Sequence, residues 1–184
     1  MDELTKKIAT DLIAEFEGCE KRKPDGKIYP YLDKLAKPNV WTRGYGRTYG
    51  IEENSPPITK EEAKAELQVG AVRYGKECLK LSPSLIALSK CWAAVTSWSW
   101  NCGVSRYKVS RLRMAINEGR LEDAIEHIKT PITAGGKVYN GLIRRRNRES
   151  SLFESGVNER KDSNKEDLFL AFVKGLTKGI EFKV

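Results

Sequence analysis

The sequence predicts an α+β fold: a mostly helical chain with a small antiparallel sheet lobe, a helical lobe, and a cleft between the two. Three observations predict it. Residues 3 to 17 carry Leu4, Ile8, Leu12 and Phe16 on one gently drifting helical stripe. Residues 21 to 48 switch to the strand-favouring Ile28, Tyr29, Tyr31, Val40 and Trp41, set among glycines and prolines. From Thr59 onward the pattern is helical again. At 184 residues, with 40% hydrophobic and 32% charged side chains, the chain suits one folded unit with a substantial core and not a disordered segment.

Taken in order, the first helix closes near Gly18, since glycine readily adopts the left-handed geometry that ends a helix. Glu17 then stands at the helix C-terminus, where the partial negative charge of the helix favours a carboxyl that keeps its proton. Pro24-Asp25-Gly26 is a turn signal opening the sheet. After Pro56 and Pro57, Thr59-Lys60-Glu61-Glu62 is a capping box for a helix reaching Leu81, and Ser82-Pro83 restarts a helix.

The run from Leu85 to Cys102 is apolar on nearly every side and reads as a buried central helix, with Trp92, Trp98 and Trp100 as core residues more than sugar platforms. Helices follow at 106 to 117, 120 to 129 and 140 to 154. Beyond them, residues 156 to 162 form a polar connector, and Ser163-Asn164-Lys165-Glu166 caps a last helix ending near Gly179. Its acids Glu166 and Asp167 come first and its Lys174 and Lys178 last. Its apolar set Leu168, Phe169, Leu170, Phe172, Val173 and Leu176 is too broad to leave in water, so residues 155 to 184 are expected to dock on the same domain.

A net charge of +8 favours polyanionic partners, with nucleic acid and an anionic bacterial wall as the candidates. No zinc spacing, phosphate-binding glycine loop or RNA-binding aromatic signature accompanies it, so no nucleic-acid partner is expected. The first residues alternate charge with apolar positions and hold neither a signal nor a membrane anchor, which predicts cytoplasmic accumulation and no membrane insertion. Cys19, Cys78, Cys91 and Cys102 are too few and too far apart for a disulfide framework and read as buried thiols.

Specific residues now carry a resemblance. Leu12-Ile13 through Phe16-Glu17-Gly18, Tyr31-Leu32-Asp33, Trp41-Thr42-Arg43-Gly44-Tyr45-Gly46 and Ile58-Thr59-Lys60-Glu61-Glu62-Ala63 come in that order. Ser97 to Gly103, with Trp98, Trp100 and Asn101, follows, and then Ala134-Gly135-Gly136 with Gly141-Leu142-Ile143-Arg144-Arg145-Arg146. Together they resemble the phage lysozyme family typified by T4 lysozyme, the muramidases of glycoside hydrolase family 24. The resemblance implies a lysozyme-like catalytic domain over residues 1 to 154, with a sheet lobe at about 18 to 58 and a helical lobe at about 59 to 154.

It also implies hydrolysis of the β-1,4 bond between N-acetylmuramic acid and N-acetylglucosamine in bacterial peptidoglycan. Glu17 would be the general acid, Asp33 the group that activates water, and Thr42 the hydroxyl that holds the water. Asn101 and Arg145 would bind substrate, with no metal or organic cofactor and a monomeric enzyme passing from the host cytoplasm to the periplasm and wall. Thr42 has an evident role only if water is the attacking group, which favours inversion and carboxyls about 6.5 to 9.5 Å apart.

Two aspartates compete for the second acid. Fifteen residues separate Glu17 from Asp33 and eight separate Asp33 from Thr42, both longer than the family's usual intervals. Asp25 stands nearer the usual separation but in a Pro-Asp-Gly turn, whereas Asp33 has the matching Tyr-x-Asp context and is preferred. Where the family has histidine after Gly-Tyr-Gly, this chain has Arg47. An arginine at position 145 near Glu17 would oppose the helix-end effect on its proton, and the sequence leaves the balance open. The rival classes are a catalytically weak peptidoglycan-binding protein and a basic nucleic-acid-binding protein.

Overall fold

The structure, a computed structural model, describes residues 1–19, 24–34 and 38–178, with the side chains at 134, 168, 169 and 171–178 left aside. Helix α1 (Glu3–Phe16) starts at Asp2, whose carboxylate accepts from the Thr5 backbone N–H at 2.9 Å. Its buried face is not the Leu4–Ile8–Leu12–Phe16 stripe that the sequence suggested. Thr5, Ala9, Thr10, Leu12 and Ile13 are buried, and Leu4 is 61% exposed. Small residues face inward because α1 packs closely on the central helix, and Thr10 satisfies its hydroxyl within the helix by donating to Lys6 O at 2.7 Å. The helix ends at Glu17 in extended geometry (φ −88°, ψ 115°), not through a left-handed Gly18.

Strands β1 (Tyr31–Asp33) and β2 (Val40–Thr42) pair antiparallel, with Tyr31 opposite Thr42 and Asp33 opposite Val40. An Ile28–Ile58 bridge ties the chain before β1 to the approach to α2. Helix α2 (Lys60–Leu81) has the full reciprocal Thr59–Glu62 capping box. It runs between two hydrophobic clusters. Ala63, Leu67 and Ala71 join Ile13, Ile28, Tyr45 and Ile58 in the first, and Cys78 enters the second, larger one. Gly44, at φ +63°, lies in the turn after β2, where a Cβ would come within 3.2 Å of the Ala63 Cβ, so the glycine lets the turn sit on α2.

Ser82-Pro83 opens a 3-10 turn (Pro83–Ala87), not a full helix, and the buried Ser82 hydroxyl pairs with the Tyr107 hydroxyl at 2.7 Å. Helix α3 (Ser89–Cys102) is the buried centre, touching α1, α2 and the last helix. Trp92 and Trp98 are buried within it, while Trp100 is half-buried against Tyr74 and the first cluster. The region read as one helix from 106 to 117 is two, α4 (Val104–Lys108) and α5 (Arg111–Asn117), with α5 capped by the Ser110 hydroxyl accepting from Arg113 N at 3.1 Å. Helix α6 (Leu121–Ile128) and a short ribbon of β3 (Thr133–Ala134) and β4 (Lys137–Val138) complete the lobe.

Helix α7 (Asn140–Lys178) is continuous where the sequence suggested a connector at 156 to 162. Packing explains the difference. Phe153 and Val157 are buried in the larger cluster, and Gly156 lies so close to α3 that a Cβ would stand 2.8 Å from Cys91 Sγ and 3.0 Å from its backbone N. Lys90 reaches across to Ser155 Oγ at 3.0 Å and to Glu159, and Lys161 pairs with Glu122 at 2.7 Å. Gly156 is therefore a close-approach residue and not a break. Gly156→Ala should lower the melting temperature although alanine is the better helix former, because overpacking costs about 1–3 kcal/mol against a propensity gain of about 1. An unchanged or raised Tm would show that the contact yields freely. Residues 158–167 are exposed, as is Leu170 at 53%. The side chains of Leu168, Phe169, Phe172, Val173, Lys174, Leu176 and Lys178, and the expected end at Gly179, lie outside the described residues.

Candidate active site

Three helices meet at one open cleft of about 500 Å³, lined by Glu15, Phe16 and Glu17 from α1, Asn101 from α3, and Tyr139, Gly141, Leu142, Arg144 and Arg145 at the start of α7. Glu17 is at the mouth, its side chain 29% exposed. Arg145 is buried and donates from Nη1 to Glu17 Oε1 at 2.8 Å, a contact spanning 128 positions of sequence. The same guanidinium donates from Nε to Glu149 Oε1 at 3.1 Å and from Nη2 to Ser97 O at 3.3 Å. Its Cζ lies 5.5 Å from the centre of the Phe16 ring. Held on four sides, Arg145 presents one fixed donor to the Glu17 carboxyl and leaves the remaining carboxyl surface to the cleft.

The three residues Glu17, Asn101 and Arg145, chosen from sequence, thus line one cavity. Asp33 and Thr42 are placed by the hairpin instead, and neither is among the described residues lining that cavity. The register puts Asp33 and Thr42 on the same face of the ribbon as diagonal neighbours. Thr42 is buried, its hydroxyl 3.4 Å from Val40 O, and Asp33 is half-buried at the strand end. Asp25 is engaged in its turn: Oδ1 accepts from Lys27 N at 3.0 Å and Oδ2 from the Tyr29 hydroxyl at 2.7 Å. Donating that hydrogen bond raises the Tyr29 pKa, as the charge of Asp25 also does.

The segment after Thr42 is braced by charge. Arg43, only 6% exposed, donates to Glu66 Oε1 on α2 at 2.7 Å, and Arg47 meets the same oxygen at 2.8 Å. Backbone bonds in both directions between Arg43 and Arg47 close the intervening turn. Arg47 is therefore paired with Glu66 through a permanently charged guanidinium.

Sequence reasoning missed Glu149, Ser97 and Arg146. Of the four arginines in this stretch, Arg145 and Arg146 are buried and Arg144 and Arg148 exposed. The signal was present in the i,i+4 and i,i+3 spacing of Arg145 and Arg146 to Glu149 on one helix. Cys78 and Cys91 are buried, and burial pushes both thiols up to about 12, which removes them as nucleophiles at neutral pH. Among the described residues, no three His, Cys, Asp or Glu side chains gather into a metal-holding group.

Residues 14–149 match the phage lysozyme family. The chain belongs to that family. Endolysins of Bacillus phages B103 and PZA are 29% and 27% identical to this chain over 150 and 151 residues. Those stretches are 79% and 80% of this chain but 52% and 54% of the endolysins, so the chain spans about half the length of these curated relatives. The muramidase domain of SpmX from Asticaccaulis excentricus superposes with a TM-score of 0.62 at 25% identity, covering 79% of this chain and 93% of that one. The active form of P1 phage endolysin Lyz does so with a TM-score of 0.66 at 20% identity, over 85% and 88% of the two chains, a likeness of fold alone. The lysozyme-like α+β fold of the chain is thereby shown.

Proposed function

We propose that this chain is an endolysin-type muramidase of the T4 kind, hydrolysing the β-1,4 bond between N-acetylmuramic acid and N-acetylglucosamine in bacterial peptidoglycan. The observation that carries the reading is a carboxyl, Glu17, held by a fixed Arg145 at an open cleft in a member of the phage lysozyme family. Glu17 gives its proton to the leaving glycosidic oxygen, and Asp33 takes a proton from the water that attacks the anomeric carbon. Thr42 holds that water by its hydroxyl. The carboxyls end with their protonation states exchanged, and solvent restores them. Asn101 and Arg145 line the cleft as substrate-binding groups.

The partner is peptidoglycan and the enzyme works as a monomer, without nucleic acid, reaching the wall from the cytoplasm of the host. Among the described residues no helix is long and apolar enough to cross a membrane. Residues 155 to 184 belong to the same domain on this reading, which the buried Phe153 and Val157 on α7 support.

Attack by water inverts the anomeric carbon, so no covalent sugar–enzyme intermediate forms. The test is intact-protein mass spectrometry during turnover of solubilised wall fragments. The expected result is enzyme of unchanged mass throughout. A glycosyl adduct mapped to Asp33 would contradict the water-activating role and make that residue a nucleophile.

A further inference from the structure

Behind the cleft lies a second carboxylate that this mechanism does not use. Glu149 is fully buried on α7. Its Oε1 accepts from Ser97 Oγ on α3 at 2.7 Å, from Arg145 Nε at 3.1 Å and from Arg146 Nη2 at 3.1 Å. Arg146 Nε lies 3.0 Å from Oε2, an ion pair without hydrogen-bond alignment. Arg146 also donates to Asn101 Oδ1 and Cys102 Sγ, at 3.1 and 3.0 Å, and faces the Trp98 ring. One guanidinium, that of Arg145, thus touches both Glu17 and Glu149.

We propose that Glu149 is a positioning residue: by offsetting the charge of Arg145 and Arg146, it sets the pH range over which Glu17 retains the proton it must deliver. The inference rests on Glu17 being the general acid. Two permanent positive charges and one negative one stand behind the cleft. Without Glu149 both guanidiniums would act unopposed on Glu17 and favour its carboxylate, the form that cannot protonate a leaving group. Burial pushes the Glu149 carboxyl up, while Arg146, the Ser97 hydroxyl and Arg145 favour its charged form. With two arginines in direct contact, the ionised form is the one that balances the cluster. The other charged groups at the cleft, Glu15 from α1 and Arg144 from α7, are exposed, and Glu15 pairs with Arg148 at 3.3 Å, so solvent screens them. The uncharged Asn101 and Tyr139 complete its lining at this end.

The test is kcat/KM on solubilised peptidoglycan fragments as a function of pH, for wild type, Glu149→Gln, Glu149→Asp and Arg146→Met, each checked for folding by circular dichroism. The alkaline limb, where the acid loses its proton, should move down by about one pH unit in Glu149→Gln, as loss of one nearby charge in a partly screened site does. It should stay in place in Glu149→Asp, which keeps the charge, and move up in Arg146→Met, which removes a positive one. A merely structural role would lower the melting temperature and the rate without moving the limb, and an unmoved limb in folded Glu149→Gln overturns the proposal. Should Glu149→Gln not fold, Arg146→Met decides, its limb either rising or overturning the idea. Glu17→Gln measured alongside separates the two levels: wild-type activity there would sink the general-acid reading itself, whatever Glu149 does.

Discussion

Glu17→Gln should leave the fold intact and lower the rate of wall lysis by at least 10² to 10⁴-fold, about the contribution of general acid–base catalysis. The amide is nearly the shape of the carboxyl, and its oxygen can still accept from Arg145 Nη1, now at 2.8 Å from Glu17. Arg145 also keeps Glu149 and Ser97 O, so no buried charge is stranded. What the amide lacks is a proton to give. Clearing of permeabilised Gram-negative cells by the two proteins, with matching melting curves, measures this directly, and equal rates would remove Glu17 from the chemistry.

The second large effect is expected at the other acid. Asp33→Asn should be severely impaired and Asp25→Asn close to wild type in the same assay. Asp25 serves its own turn through Lys27 N and the Tyr29 hydroxyl, and an amide oxygen can still accept the first of these bonds. Asp33 shares a ribbon face with Thr42, the arrangement two groups need in order to handle one water. The opposite order of impairment would make Asp25 the acid and the Asp33 ribbon scaffold.

What could be read in the sequence follows the range of the forces involved. The Thr59–Glu62 capping box is settled by four adjacent residues and is where the sequence suggested, whereas the apolar run from Leu85 to Cys102 becomes α3 only from Ser89, behind a 3-10 turn. The inward face of α1 was misjudged because close packing selects Thr5 and Ala9 over the larger Leu4, and hydrophobicity alone cannot see how near a neighbour comes. Gly156 misled for the same reason: a glycine ends a helix or admits another helix, and only the position of Cys91 distinguishes the two. At the site, Glu17 is singled out by the family motif around it, since a helix end alone is an ordinary place for an acid. Of the Glu149 network behind it, the pairings with Arg145 and Arg146 are written in the spacing of one helix, whereas the contacts with Ser97, 48 and 52 positions away, are not.

The central claim is that one particular bond of the wall is hydrolysed, and the chemical ends left by digestion report on it directly. Purified peptidoglycan should be digested with the protein, reduced with borohydride and analysed by mass spectrometry. Cleavage between N-acetylmuramic acid and N-acetylglucosamine predicts fragments ending in the reduced form of N-acetylmuramic acid, absent from the Glu17→Gln digest. Fragments ending instead in reduced N-acetylglucosamine, in anhydro sugars or in freed stem peptides would contradict the account.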